Sequence, residues 1–286
     1  MFRSAIVVAG VCLASLFATF GSAVAAPTEV EGAAGGGLAA WAFTAPNTPQ
    51  FSFWYVSTQD YLLQVGGISG TAFKRLELSY AQQWINAPMV GNALALNSHL
   101  GQSIIGGKYL LVEANPHNAV PSIAVGVQAK NAYGQIVQYL KNEGAISSTS
   151  GVDFYLAATK TVKLGSVPVV LDSTFRVTKA NQFGLLGFGG GSNGHNGYQL
   201  EPEFSVGAFV AANVALGGEY RYSPNNISSA VAGIQEQSKW DIFAALFLNS
   251  HFALTAAYVN LGQVGPRLPN MTPNQQGLYL QAQGTF

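Results

Sequence analysis

Residues 240–258 read WDIFAALFLNSHFALTAAY, and the alternation in this stretch predicts two β-strands joined by a tight turn. A helix that spans a membrane needs about 20 apolar residues in a row. The triplet Asn249-Ser250-His251 interrupts the run with three polar residues, which is typical of a turn and not of the centre of a bilayer helix. The apolar side chains at every second position are Trp240, Ile242, Ala244, Leu246 and Leu248 in the first strand and Phe252, Leu254, Ala256 and Tyr258 in the second.

The same period of two recurs through most of the chain and predicts a single all-β domain. It is clear in Leu76–Tyr80, in Val169–Val177 and in the last stretch, Leu278–Phe286. One face of each stretch is aliphatic and aromatic, while the other is small, polar or occasionally charged. A soluble β-sandwich also alternates, but its outward face carries Lys, Glu and Thr. The observed pattern is instead that of a β-barrel in lipid.

Strand length predicts the size of this barrel. A strand that crosses the bilayer takes about 22 residues when half of each neighbouring connection is included. The length of the exported chain therefore predicts an antiparallel up-and-down transmembrane barrel of about 12 strands, within a range of about 10 to 14. We place the first strand near Leu38 and the end of the last at Phe286. The stretch 84–107 holds either a long loop or a short helix, and Asn131-Ala132-Tyr133-Gly134 reads as a turn.

Composition supports a membrane protein and excludes other classes. Only 9% of residues are charged, against roughly 25% in an ordinary soluble domain. Lys and Arg together number 13, as do Asp and Glu, while hydrophobic residues make up 49%. The balance excludes a nucleic-acid binder that works through a basic surface, as well as a highly charged disordered chain. Outer-membrane lipid is therefore the expected partner.

The first 25 residues predict a secretory signal peptide. Arg3 provides the positively charged n-region, and an uncharged apolar run follows it. Ala23-Val24-Ala25 then forms a cleavage site with a small residue at each end. An uncleaved anchor is the alternative. The only cysteine, Cys12, lies in this segment, so the exported chain would contain none. Residues 26–37 would then be a short N-terminal segment and residues 38–286 a single barrel domain.

The C-terminus also predicts an outer-membrane barrel. Phe286 is the last residue of an alternating strand, and a terminal Phe in this position resembles the signal that barrel assembly machinery recognises. Together with the signal peptide, it predicts the outer membrane of a Gram-negative-type cell.

Several strings resemble one family. They are VEGAAGGGL at 30–38, FYLAATK at 154–160 and ANQFGLLGFGG at 180–190, together with Val206-Gly207, the stretch 218–221 and the turn Pro224-Asn225-Asn226. The chain is similar to an uncharacterised proteobacterial family of outer-membrane β-barrels, and the similarity covers nearly the whole exported chain. The resemblance implies the barrel and its location, but it implies no substrate and no catalytic residues.

The polar face carries a small set of charged residues that we expect to line the lumen. In a narrow barrel such charges either pair across the lumen and fix the strands, or remain free and filter solutes. Phe209, Phe243 and Phe247 share this face and would narrow the passage, which favours a narrow porin-like channel or an uptake pathway for a small, weakly polar solute. The predicted lumen charges are Arg75, Glu77, Asp172, Arg176, Glu201, Glu203, Glu219, Arg221 and Asp241.

The sequence identifies no catalytic residue, metal ligand or cofactor. An outer-membrane lipid-modifying enzyme with a Ser/His pair is an alternative function, and a structural or adhesion barrel is another. The four histidines are scattered, without the spacing of a metal site, and the glycine run 187–194 lacks the Lys-Ser/Thr of a phosphate loop. The histidines are His99, His117, His195 and His251.

Overall fold

The computed structural model describes residues 26–115, 117–227 and 233–285, and these residues form a closed barrel of twelve antiparallel strands. The all-β prediction and the strand number are thus confirmed. Strands that follow one another in the barrel are paired, and the first pairs with the last from Gln50↔Thr285 to Thr58↔Gly277, which closes the sheet. The barrel strands are β1 (Gln50–Thr58), β2 (Leu62–Ala72), β3 (Leu76–Asn86), β4 (His99–Val112), β5 (Ser122–Gly134), β7 (Ser150–Leu164), β8 (Val167–Thr178), β10 (Gln199–Ala211), β11 (Val214–Arg221), β12 (Lys239–Phe247), β13 (Phe252–Gly262) and β14 (Gln275–Thr285), while β6 (Ile146–Ser148) and β9 (Phe188–Gly190) form a separate two-stranded sheet.

The two ends of the barrel differ in the length of their connections. One end, which we call the short-turn end, carries the turns 73–75, 113–121, 165–166, 212–213 and 248–251, and β1 starts and β14 ends there. In outer-membrane barrels the short turns face the periplasm and the long loops face outside. The opposite end, the long-loop end, carries the turn 59–61 and the longer connections 87–98, 135–149, 179–198, 222–238 and 263–274.

The long connections fold over their end of the barrel. They contain the helices Pro88–Leu94 and Gln135–Asn142 and a 3-10 turn at Gln182–Gly184. The short helix lies in the stretch for which the sequence left loop and helix open. Side chains of these connections pack into one buried apolar cluster, so the long-loop end is a packed cap. Its members include Val90, Ile136, Val137, Leu140, Ile146, Leu185, Ile227, Ile234 and Met271.

The side chains that alternation assigns to lipid point outward. Ile105, Ile242 and Leu278 are each more than 60% exposed on the barrel wall, which is the position that lipid would cover. Aromatic side chains gather outside near the two ends, as they do in barrels that span a membrane. Those near the long-loop end are Trp84, Tyr133, Tyr198, Tyr220, Tyr222, Trp240 and Tyr258, and those near the short-turn end include Phe51, Phe53, Tyr109 and Phe252.

Among the residues that the structure describes, no helix is long and apolar enough to cross a membrane.

Two predictions of strand boundaries are wrong. The first barrel strand begins at Gln50 and not near Leu38, because the run of small and apolar residues from Leu38 onward lies inside the barrel. The predicted turn at Asn131-Ala132-Tyr133-Gly134 is the last part of β5, where Gly101↔Tyr133 and Ser103↔Asn131 pair with β4. The chain leaves the sheet only at Gly134, whose φ of 120° suits glycine. The predicted signal peptide and Phe286 lie outside the described residues.

The lumen is filled by residues 26–49, which we call the N-terminal segment. Glu31, Ala39, Ala40 and Ala42 have no exposed surface. The segment enters near the short-turn end, where Ala26 N donates to Gln50 Oε1 at 2.8 Å. It returns to the same end before β1 begins. The segment therefore occupies the space through which a solute would pass.

Candidate functional site

Eight of the nine predicted lumen charges lie inside the barrel. The exception is Arg75, which lies in the turn 73–75, is exposed, and donates to the carbonyl oxygens of Leu110 and Leu111. The prediction for Arg75 is wrong because the alternation of β3 starts one residue later, at Leu76. The eight buried charges are Glu77, Asp172, Arg176, Glu201, Glu203, Glu219, Arg221 and Asp241.

Arg176 on β8 is the centre of the largest charge cluster. Its Nε donates to Glu203 Oε1 at 2.6 Å, and its Nη2 donates to Glu29 Oε2 at 3.1 Å. Its Nη1 lies 3.5 Å from Glu31 Oε2 and 3.8 Å from Asp153 Oδ2. Arg176 is fully buried. One guanidinium on β8 thus links Asp153 of β7 and Glu203 of β10 to two carboxylates of the N-terminal segment.

Arg221 and Lys130 hold the same segment from other sides. Arg221 Nη1 donates to Glu31 Oε2 at 2.8 Å, while its Nε lies 3.3 Å from Glu203 Oε1 and 3.4 Å from Glu201 Oε2. Lys130 Nζ pairs with Glu31 Oε1 and with Asp153 Oδ2. Glu31 therefore has cations against both of its carboxylate oxygens.

The two acids of the segment have different environments. Burial raises the pKa of Glu29 to about 7, and the attraction of Arg176 opposes this rise. Burial also raises the pKa of Glu31, but Arg221 and Lys130 outweigh it, so its pKa lies below the ordinary value. Glu31 is thus the fully ionised anchor of the segment at neutral pH.

A second attachment lies nearer the short-turn end. Lys108 Nζ is 3.1 Å from Glu77 Oε2 and donates to the carbonyl oxygens of Ala34 and Trp41. Glu77 accepts from Ala34 N at 3.0 Å and from Ala45 N at 2.7 Å. One buried ion pair thus bonds to four backbone groups of the N-terminal segment and helps to satisfy their hydrogen-bonding capacity inside the barrel.

The glycines of the segment allow a close approach to two wall carboxyl groups. Glu219 accepts from Leu38 N at 2.7 Å, and Asp241 accepts from the Tyr279 hydroxyl at 3.2 Å. A Cβ on Gly36 would lie 1.7 Å from Glu219 Oε1, so any larger residue would displace this carboxylate. Among the described residues, neither Glu219 nor Asp241 has an ion-pair partner within 4.0 Å.

Sequence reasoning missed charged residues both on the wall of the barrel and in the N-terminal segment. Lys108, Lys130 and Asp153 lie on the inward parity of their strands, so the alternation that found the others could have found these too. Glu29 and Glu31 precede the first strand, among small residues, and no periodicity marks them. That they lie against charges some 150 to 190 positions away, such as Arg176 and Arg221, follows only from closure of the barrel.

Two of the histidines have ring nitrogens close to polar atoms of the described residues. His99 Nδ1 lies 3.1 Å from Asn97 Oδ1 and 3.5 Å from Ser98 Oγ in an exposed stretch, and His251 Nδ1 lies 3.1 Å from the carbonyl oxygen of Thr285. The described residues contain no group of three or more His, Cys, Asp or Glu that could hold a metal ion.

Sequence comparison gives the family. The sequence profile described as Protein of unknown function (DUF3034) matches residues 24–283. The chain belongs to this family. No curated protein matches this DUF3034 chain.

Solved structures similar to this DUF3034 barrel include two porins and an outer membrane channel. The KdgM porin is 11% identical, with a TM-score of 0.51, and the match covers 83% of this chain and 99% of that chain. The NanC porin is 6% identical, with the same TM-score and coverage. The COG4313 outer membrane channel from Pseudomonas putida F1 is 14% identical, with a TM-score of 0.51 and coverage of 85% and 97%. At these identities the similarity shows the fold.

Proposed function

We propose that the protein is a porin-like pathway for small solutes across the outer membrane, and that its N-terminal segment keeps the lumen closed at rest. Export by the signal peptide at 1–25 and insertion through the barrel assembly machinery, guided by Phe286, are part of this proposal. The similar solved barrels include two porins and a channel, which supports a transport role.

The observation that carries the proposal is the kind of material that fills the lumen. Small barrels are filled by side chains of their own walls, which cannot leave. Here a segment of the chain that is rich in Gly and Ala and belongs to no wall strand fills the lumen, and it continues into β1. Its contacts with the wall include many hydrogen bonds and ion pairs, such as those of Glu31 and Ala34. Water could replace these contacts if the segment moved.

Charge placement affects the selectivity expected for the open state. The lumen charges predicted from the sequence include six acidic residues and three basic ones, of which Arg75 is one. The structure removes Arg75 but adds Lys108, Lys130 and Lys239 to the basic residues of the inner wall, and Asp153 to its acids. Displacement of the segment would also remove Glu29 and Glu31 from the passage. We therefore propose only a weak preference for cations.

A test is to weaken the anchor at Glu31. In planar bilayers the unmodified protein should be silent for most of the time, with brief openings. Glu31→Gln keeps the shape of the side chain but removes the charge that faces Lys130 and Arg221, so the open fraction should rise by about tenfold or more, as expected for a loss above 1.4 kcal/mol. The readout is the single-channel open fraction.

The matched control is Glu113→Gln, which changes an exposed carboxylate in the turn 113–121. This variant should behave like the unmodified protein. Gel mobility with and without heating should show that both variants remain folded barrels. If the Glu31→Gln protein is folded but as silent as the control, the closed-pathway proposal is wrong.

A further inference from the structure

A small apolar cavity lies beside the N-terminal segment, below the cap of the long-loop end. Its volume is about 60 Å³. Val30 and Leu38 of the segment form one side, and the wall strands form the other. Phe183 and Leu185, from the connection 179–198, cover it toward the long-loop end. The wall side chains are Trp54, Val56, Leu63, Ile85, Val259, Leu261 and Tyr279.

This cavity is chemically distinct from the rest of the lumen. The neighbouring space holds the ion pairs of Arg176, Arg221 and Lys130, whereas the cavity wall is almost entirely apolar. Apolar walls with a few polar groups are typical of small-molecule sites. A charged solute would leave its hydration shell there without gaining a partner, which costs several kcal/mol.

Polar groups at the cavity rim are already engaged. Gln83 Nε2 donates to the carbonyl oxygen of Val30 at 2.8 Å, and the Tyr61 hydroxyl donates to that of Val264 at 2.8 Å. Lys239 Nζ is held by Ser223 and Glu236. Burial raises the pKa of Tyr61, which keeps its hydroxyl neutral.

Trp54 differs from these rim groups. Its side chain is 1% exposed, and among the described residues its indole Nε1 has no hydrogen-bond acceptor. A buried N–H without an acceptor costs free energy. A ligand with one acceptor atom would supply the missing bond while its remaining surface contacts the apolar wall.

The cover of the cavity is under backbone strain. Gln182 and Phe183 have φ values of 49° and 61°, in the left-handed region that residues with a side chain rarely adopt. The Phe183 ring lies 4.4 Å from the Arg221 guanidinium and 4.8 Å from Lys239 Nζ. Strain of this kind is typical of segments that contact ligands. Because the cavity is smaller than one of about 150 Å³ that holds benzene, a compound with one ring would shift Phe183.

We propose that this cavity is the binding site for a small, uncharged, mainly apolar compound of about one ring that carries a single hydrogen-bond acceptor. The inference deepens the proposed pathway, since it names the class of solute that is bound between the cap and the segment. Binding itself requires only the closed structure described above, so it can be tested separately from transport.

The test measures saturable binding to the full protein in detergent by fluorine NMR. The probes are para-fluoroacetophenone, which has a ring and a carbonyl acceptor, para-fluorobenzoate, which is charged, and para-fluorotoluene, which has no oxygen acceptor. We expect saturable binding of the ketone, at least tenfold weaker binding of the benzoate, and only linear partitioning of all probes into empty micelles.

Two variants at the cavity and one control on the lipid face locate the site. Val259→Phe adds a ring to a lining side chain and should weaken ketone binding by at least tenfold. Val206→Phe makes the same change on the lipid face of β10 and should leave binding unchanged. Trp54→Phe removes the N–H, so ketone binding should weaken by about fivefold, the range of one hydrogen bond, while toluene binding should stay the same.

The outcomes separate this inference from the proposed pathway. No saturable binding of the ketone, or equal binding by Val259→Phe and Val206→Phe in folded barrels, would overturn the site even if Glu31→Gln opens the channel. Saturable binding that is lost only in Val259→Phe supports the site even if Glu31→Gln proves silent.

Discussion

Replacing Arg176 with Met is expected to lower the free energy of unfolding by about 3–5 kcal/mol, since this is the usual effect of removing one partner from a buried ion cluster. The guanidinium is fully buried and lies against Glu29, Glu31, Asp153 and Glu203. Met fills a similar volume but leaves these carboxylates with less positive charge nearby. The measurement is equilibrium unfolding by denaturant in lipid vesicles, followed by tryptophan fluorescence.

The control for this experiment is Arg75→Met. Arg75 is the charge that the sequence placed in the lumen and the structure places in an exposed turn, where its bonds to two carbonyl oxygens compete with water. Its replacement should cost less than about 1 kcal/mol. Equal losses for Arg176→Met and Arg75→Met would show that the buried network does not stabilise the barrel.

Placing a cation on the lipid face should have the second largest effect. Leu171 lies on β8, points outward and is 44% exposed on the wall. Leu171→Arg should destabilise the barrel by about 2–4 kcal/mol if this position meets the bilayer midplane. Leu164→Arg makes the same change beside the turn 165–166, where the cost falls to about 0–1 kcal/mol.

The measurement is again unfolding in lipid vesicles, with the unmodified protein and both variants at the same pH. A similar cost at Leu171 and Leu164 would contradict the depth that the barrel geometry assigns. Thr174→Arg would be a mild change if the lumen were filled with water, but in this structure we expect it to disturb the barrel. Thr174 is fully buried and its hydroxyl donates to the carbonyl oxygen of Ala40 at 2.6 Å.

The wall of this barrel could be predicted from the sequence because its physics is local. A strand between lipid and lumen must alternate, so positions such as Leu171 and Arg176 reveal their faces without knowledge of any neighbour. The prediction of a turn at Asn131–Gly134 was wrong because it relied on local residue preferences and ignored the alternation of side chains along β5. Lys130 and Ala132 continue the inward parity of β5, and pairing with β4 outweighs the local preference of Asn and Gly for turns.

The contents of the lumen could not be predicted in this way. The run from Leu38 to Phe43 is apolar enough for a lipid-facing strand, yet its backbone bonds to Glu203, Thr159 and Thr174, which lie far along the chain. Which acid meets which base depends on the stagger of twelve strands. The alternation of side chains along each strand therefore predicts which charged residues of the wall point inward. It predicts neither which of them pair with each other nor that they bind the N-terminal segment.

The most direct test of the occupied lumen is the labelling rate of an introduced cysteine. The exported chain is expected to contain no cysteine of its own, so an Ala40→Cys variant would carry one thiol at a position with no exposed surface. Its reaction with a water-soluble maleimide should be at least tenfold slower than that of a Ser192→Cys variant, whose position is exposed in the connection 179–198. Equal labelling rates in the two folded variants would contradict the central claim that the N-terminal segment fills the barrel.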